Sequence, residues 1–158
     1  MSVGIVNSVE VQRVFDEPGS PASDLIQKWA GTVLDQFVEH SESVIRMVGA
    51  DESAALNREY RKKEGPTNVL SFSYGTIGGQ PVNLLGDVVI CVPLVAAEAL
   101  EQSKSLEAHW AHLVVHGLLH LLGYDHQEQP DALEMEAMEL KFLTGFGYPD
   151  PYQLEIDQ

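Results

Sequence analysis

Cysteine is almost absent from this chain. Cys91 is the single one, which excludes an internal disulfide and any CxxC metal knuckle, and suits a reducing cytoplasm. A bound metal would therefore need histidine, carboxylate and water as ligands. Cys91 follows Val88-Val89-Ile90 and reads as a small buried residue, not a nucleophile. Long apolar runs are missing too, so no membrane span is expected. Met1 to Glu10 lacks the basic and apolar segments of a secretory leader, and the expected location is the cytoplasm. Basic residues are scarce: 9 Lys and Arg stand against 24 Asp and Glu, for a net charge of −15. Such a balance excludes indiscriminate binding to nucleic acid, DNA included, which uses a broadly basic surface.

What is present bounds the rest. With 158 residues and 44% hydrophobic content, one globular domain spanning the whole chain is expected. Arg58, Arg61, Lys62 and Lys63 hold four of the nine basic residues within six positions, while residues 127–158 carry eight acids against Lys141 alone. One compact basic patch on an acidic body can guide a polyanion to one place and repel it elsewhere. It is also what a solvated helix end looks like, since cations favour the C-terminal turn. Charge alone leaves the two readings equal.

The chain reads as alternating strands and helices. A first strand is expected over Glu10 to Phe15, followed by a helix capped by Ser20 or Ser23 and running to about His40. Ser43 to Val48 reads as a second strand, and Asp51 as the N-cap of a short helix ending at the basic cluster before Gly65-Pro66. Asn68 to Tyr74 and Leu84 to Val92 form an expected antiparallel pair, joined through Gly78-Gly79 and Pro81. Pro93 opens a helix through Gln102. Leu106 to Leu122 and Asp131 to Leu143 complete the set. The expected fold is α+β: a small mixed four-stranded sheet with one antiparallel pair, flanked by about five helices.

One stretch carries chemistry. His116-Gly117-Leu118-Leu119-His120-Leu121-Leu122-Gly123-Tyr124-Asp125-His126 places three histidines at spacings of four and six. His116 and His120 lie one helical turn apart and leave the same face, where they can share a metal. Six further residues on a continuing helix would turn the third ring away. Gly123 can take positive φ, stop the helix and let His126 return. A pair of histidines at this spacing is common by chance; the third, with glycine where a reversal is needed, makes a site of His116, His120 and His126 with an open position, as in catalytic zinc. His112 sits one turn before His116, but His112 and His120 are about 12 Å apart along the axis, too far for one zinc. His112 is read as a packing residue or one that steadies the ligands from behind, and His109 is left undetermined.

The spacing H-x-x-x-H-x-x-G-x-x-H resembles the metal frame of metzincin proteases, which carry a glutamate base directly after the first histidine. Here that position is Gly117, so the protease base is missing. The ion could still lower the pKa of its water and polarise an oxygen, and a phosphodiester fits a Lewis acid with cationic side chains nearby. Further motifs sharpen this. Tyr60-Arg61 leads to Lys63, then Pro66-Thr67-Asn68-Val69-Leu70-Ser71-Phe72, Leu85-Gly86-Asp87, and His109-Trp110-Ala111-His112 ahead of the histidine stretch. With these the chain resembles the YbeY family of bacterial metal-dependent endoribonucleases and rRNA maturation factors. The match is close from about residue 45 to residue 152 and holds only in pattern over the first forty. Ser73 stands where the family commonly has proline.

The resemblance implies a zinc ion on His116, His120 and His126, and a functionally important arginine at Arg61. It implies processing of ribosomal RNA, especially the 3′ end of the small-subunit RNA, and ribosome quality control. A small-subunit ribosomal protein and an Era-type GTPase are implied partners. Arg58, Lys62 and Lys63 are then candidates to position RNA backbone. Asp125 could orient a ligand or hold a turn, and Asp87 is read as structural. Two rivals stand beside this: a metalloprotease or amidohydrolase with a base such as Glu128, and a non-catalytic ribosome-assembly factor with structural zinc.

Overall fold

A computed structural model of the chain describes residues 4–74, 84–124 and 131–152. Nine elements follow in order: β1 (Val6–Arg13), α1 (Ser23–Asp35), β2 (His40–Val48), α2 (Ala50–Arg61), β3 (Val69–Ser73), β4 (Leu84–Cys91), α3 (Val92–Glu101), α4 (Leu106–Leu121) and α5 (Asp131–Phe146). The strands form one sheet in the order β1-β2-β4-β3. β1 pairs β2 and β2 pairs β4 in parallel, while β3 runs antiparallel to β4, with Ser71 opposite Val88. The α+β class, the mixed four-stranded sheet with one antiparallel pair and the five helices are as the sequence leads one to expect. No helix among the described residues is long and apolar enough to cross a membrane.

Alternation along the strands sorts side chains to two faces. Val9, Ile45, Met47, Val88 and Ile90 face α1 and α4, where Trp29 and Trp110 are fully enclosed, and α5 closes over α4. Val48, Leu70 and Val89 face the other way, where Leu56 of α2 packs with Phe72. The sheet is thus covered on both sides, and β3 is an edge strand with α4 on one face and the end of α2 on the other.

Two glycines set how closely these layers meet. At Gly117 an added Cβ would lie 2.5 Å from Val88 Cγ1, so α4 rests directly on β4 there. At Gly86 (φ +150°) it would lie 2.2 Å from the Phe72 carbonyl oxygen, beside the bulge where Ser43 pairs Gly86 after Glu42 pairs Leu84.

Element ends depart from expectation for physical reasons. β1 starts at Val6 and stops at Arg13, because Val14 and Phe15 both donate to the one Met47 carbonyl and pairing cannot continue. Helix α1 ends at Asp35, five residues early, where Asn7 donates to Asp35 and the Val38 carbonyl and ties the turn to β1. Its N-cap is Ala22, and Ser23 instead accepts from Arg13. Gly49, not Asp51, caps α2, which leaves Asp51 in its first turn. Helix α5 runs through Gly145 and ends at Phe146, followed by Gly147 (φ +94°).

Candidate metal centre and cavity

Helix α4 starts at Ser105, whose Oγ accepts the Ala108 N–H at 3.0 Å. It is apolar almost all round, with ten residues buried. Along one stripe run His109, His112, His116 and His120, with ring centroids 6.3, 6.1 and 4.7 Å apart in turn. The helix closes as the sequence requires. Gly123 takes φ +105°, its N–H donates to His120 O, and the Tyr124 N–H reaches back to Leu119 O, a Schellman ending. The expected third ligand His126, its neighbour Asp125, and Glu128 lie outside the described residues.

Sequence reasoning missed the group that organises these rings. Glu139 of α5 is fully buried. Its Oε2 lies 2.5 Å from His116 Nδ1, its Oε1 lies 3.2 Å from His112 Nε2, and the Tyr152 hydroxyl donates to Oε1 as well. Burial pushes this carboxyl up, yet the hydrogen bonds from His112 and His116 outweigh it and hold the pKa down at about 2. The carboxylate is therefore ionised and accepts, and His116 donates to it from Nδ1. Burial first, and the neighbouring carboxylate second, push the Tyr152 phenol well above its usual value. A signal was present in the sequence: Glu139 sits amid Met135, Met138, Phe142 and Leu143, an acid on the apolar stripe of α5.

His112, His116 and Glu139 present ligand atoms within 4.8 Å of one another, a cluster that could hold a metal. His112 Nε2 and His116 Nδ1 are already engaged with Glu139, while His112 Nδ1 is buried without a hydrogen-bond partner. The pair His116 and His120 faces the opposite way, into a cavity, so the two arrangements compete for His116. The donor chemistry fits a borderline cation such as zinc in either case. A buried carboxylate on Nδ1 is the usual way a protein fixes a ligating imidazole with Nε2 outward.

The cavity has a volume of about 640 Å³ and follows the edge of β3. His116, His120 and Leu121 line one side, Tyr60 and Arg61 the other, with residues 67–73 between them. No carboxylate is among these described lining residues, in a chain that carries 24 of them. Arg61 is exposed in the last turn of α2. Lys62 follows in the left-handed region (φ 57°), its Nζ on the Glu59 carbonyl. The basic cluster is thus a helix end, and from it Arg61 reaches the cavity; Arg58, Lys62 and Lys63 are exposed outside the lining.

The remaining candidates have structural partners. Asp87 accepts the Tyr74 hydroxyl at 2.6 Å on the face away from α4. His109 is buried and lies 2.8 Å from Glu98, which also receives the Asn68 amide and so ties α3, α4 and the start of β3 together. Cys91 is buried, and burial pushes its thiol up, which suits no nucleophile.

Fold and cavity together define a class: α+β proteins in which a histidine-bearing helix under a mixed sheet opens onto a cleft along the edge strand. A family model described as Endoribonuclease YbeY matches residues 15–147, and the chain belongs to that family. Membership supports an endoribonuclease role in rRNA maturation. Among solved structures, the solution structure of TM1509 from Thermotoga maritima shares the fold, with a TM-score of 0.58 at 22% identity, over 94% of this chain and 100% of that one.

Proposed function

We propose that this chain is a zinc-dependent, single-strand-specific endoribonuclease that processes the 3′ end of small-subunit rRNA late in ribosome maturation and serves ribosome quality control. One observation carries the choice of substrate: a strongly acidic chain keeps its carboxylates off the described lining of one cavity and places Arg61, His116 and His120 there. Such a lining suits a phosphodiester and repels little of its charge. His116, His120 and His126 would hold one zinc ion, which supplies Lewis-acid activation of the phosphate and of water. Glu139 holds the His116 ring through Nδ1, and His112 shares that carboxylate. Arg61 neutralises charge that builds on the phosphate oxygens. Arg58, Lys62 and Lys63 meet the RNA backbone beyond the cavity. Ribosomal RNA and the small subunit are the expected partners in the cytoplasm, with a small-subunit ribosomal protein and an Era-type GTPase as protein contacts.

The test is cleavage of structured RNA by purified wild type, His116→Ala and Arg61→Ala, each shown folded by thermal melting. Both variants lose cleavage by about 100-fold or more. Cleavage by either at the wild-type rate overturns the reading.

A metalloprotease has one observation on its side, because the edge strand β3 along the cavity is the geometry to which extended peptides add. Against it stands Gly117, which is packed on Val88 with no room for the glutamate base of that mechanism. Chelator-sensitive casein turnover would favour the protease.

A further inference from the structure

We infer that Tyr60 forms a nucleobase subsite in the cavity, stacking one unpaired base of the RNA whose phosphate Arg61 meets. The inference rests on the nuclease reading above and adds the part of the substrate that the cavity grips besides its charge.

Tyr60 is 59% exposed, although it is a large aromatic on a helix whose Leu56 is packed inward. It lines the cavity directly beside Arg61. Its ring packs on Phe72 in a T-shaped contact, with centroids 5.1 Å apart and planes at 70°. Phe72 in turn packs against Val48, Leu70 and Val89, so the platform is anchored in the smaller core. An exposed aromatic that lines a cavity, is braced by a second ring and has a guanidinium as its chain neighbour is the pairing that binds single-stranded nucleic acid. The cation meets the backbone, and the ring takes a base, whichever base it is. A base locked in a duplex offers no open face, which gives the preference for single strands a physical source. The volume of about 640 Å³ lies in the range that holds a small organic ligand, so a base and its sugar fit beside the phosphate.

The experiment measures two quantities on zinc-loaded wild type, Tyr60→Ala and Tyr60→Phe. One is the Kd for a fluorescent 2′-O-methyl phosphorothioate decamer, which resists cleavage, read by anisotropy. The other is inhibition by AMP against ribose 5-phosphate, which differ by the base. Tyr60→Ala raises Kd roughly 5- to 100-fold and loses the advantage of AMP over ribose 5-phosphate, while Tyr60→Phe stays within about twofold of wild type. Because Tyr60 is exposed, all three proteins melt alike. A Tyr60→Ala Kd within about twofold of wild type, or an AMP advantage that survives it, overturns the subsite and leaves the nuclease standing. A wild type that binds the decamer tightly but cleaves no RNA overturns the nuclease alone, since the Kd comparison still decides the subsite. A wild type that neither binds nor cleaves overturns both.

Discussion

A carboxylate with no access to water is tolerated only where donors surround it, and Glu139 has three, from His112, His116 and Tyr152. Glu139→Gln should keep the shape and spoil the polarity, because the amide must turn an N–H₂ towards groups that donate. Zinc affinity, measured by competition with a coloured chelator, is expected to fall about 10- to 100-fold. Thermal melts should show a loss of about 1–3 kcal/mol from the broken network. An unchanged affinity would detach Glu139 from the metal site. At this scale the sequence was legible where chemistry is local. His116, Gly117, His120 and Gly123 sit within eight residues and could be read from helical spacing and glycine alone. Glu139 and Tyr152 could not be paired with them, because only the packing of α5 on α4 brings residues 13 to 40 apart into hydrogen-bond reach. Even so, an acid amid Met135, Met138 and Phe142 asks for a partner by the same logic as a histidine amid leucines.

Helix α4 is positioned by the smallest side chain on it. Gly117→Ala would push a methyl to 2.5 Å from Val88 Cγ1, and urea unfolding should show a loss of about 1–3 kcal/mol from overpacking. Adding Val88→Ala in the same chain should restore part of it; a double variant no better than the sum of the two singles would place the strain elsewhere. The helix is also tied to α3 through His109 and Glu98. Burial lowers the His109 pKa by more than the Glu98 hydrogen bond and charge raise it, with Lys104 and His112 lowering it further. The unfolded chain therefore takes up this proton at higher pH than the folded one. The contribution is fully present above the ordinary histidine value of 6.5 and is lost as pH falls below it towards the lower folded pKa. Melting temperature should drop as pH goes from 7.5 to 5.5, and His109→Gln should shrink the drop. All nine elements could be read in order from periodicity and breakers, whereas their ends could not where tertiary contacts set them. Nothing in residues 36–40 marks a stop, and α1 ends at Asp35 because Asn7 of a neighbouring strand claims that turn.

For the whole molecule, charge is the first-order property. If only the cluster from Arg58 to Lys63 meets phosphates, four contacts at most are made, and log K for a single strand should fall against log salt with a slope of about −2 to −3. Arg61→Ala should reduce the slope by about 0.7. A much steeper slope would mean a second basic surface. The core of α1, α4 and the sheet is apolar, with Trp29, Ile45, Val114 and Leu118 fully enclosed. Chelation should therefore abolish RNA cleavage while the far-ultraviolet circular dichroism stays unchanged; unfolding on metal removal would favour the assembly factor with structural zinc. The edge position of β3 has one more consequence. A strand at the margin of a sheet is a template for the same strand of another copy, and proteins commonly guard such margins with charge. Arg61 lines the cavity along β3, so the cation that suits a polyanion also guards this edge against self-association, and a variant stripped of it should aggregate sooner at physiological salt.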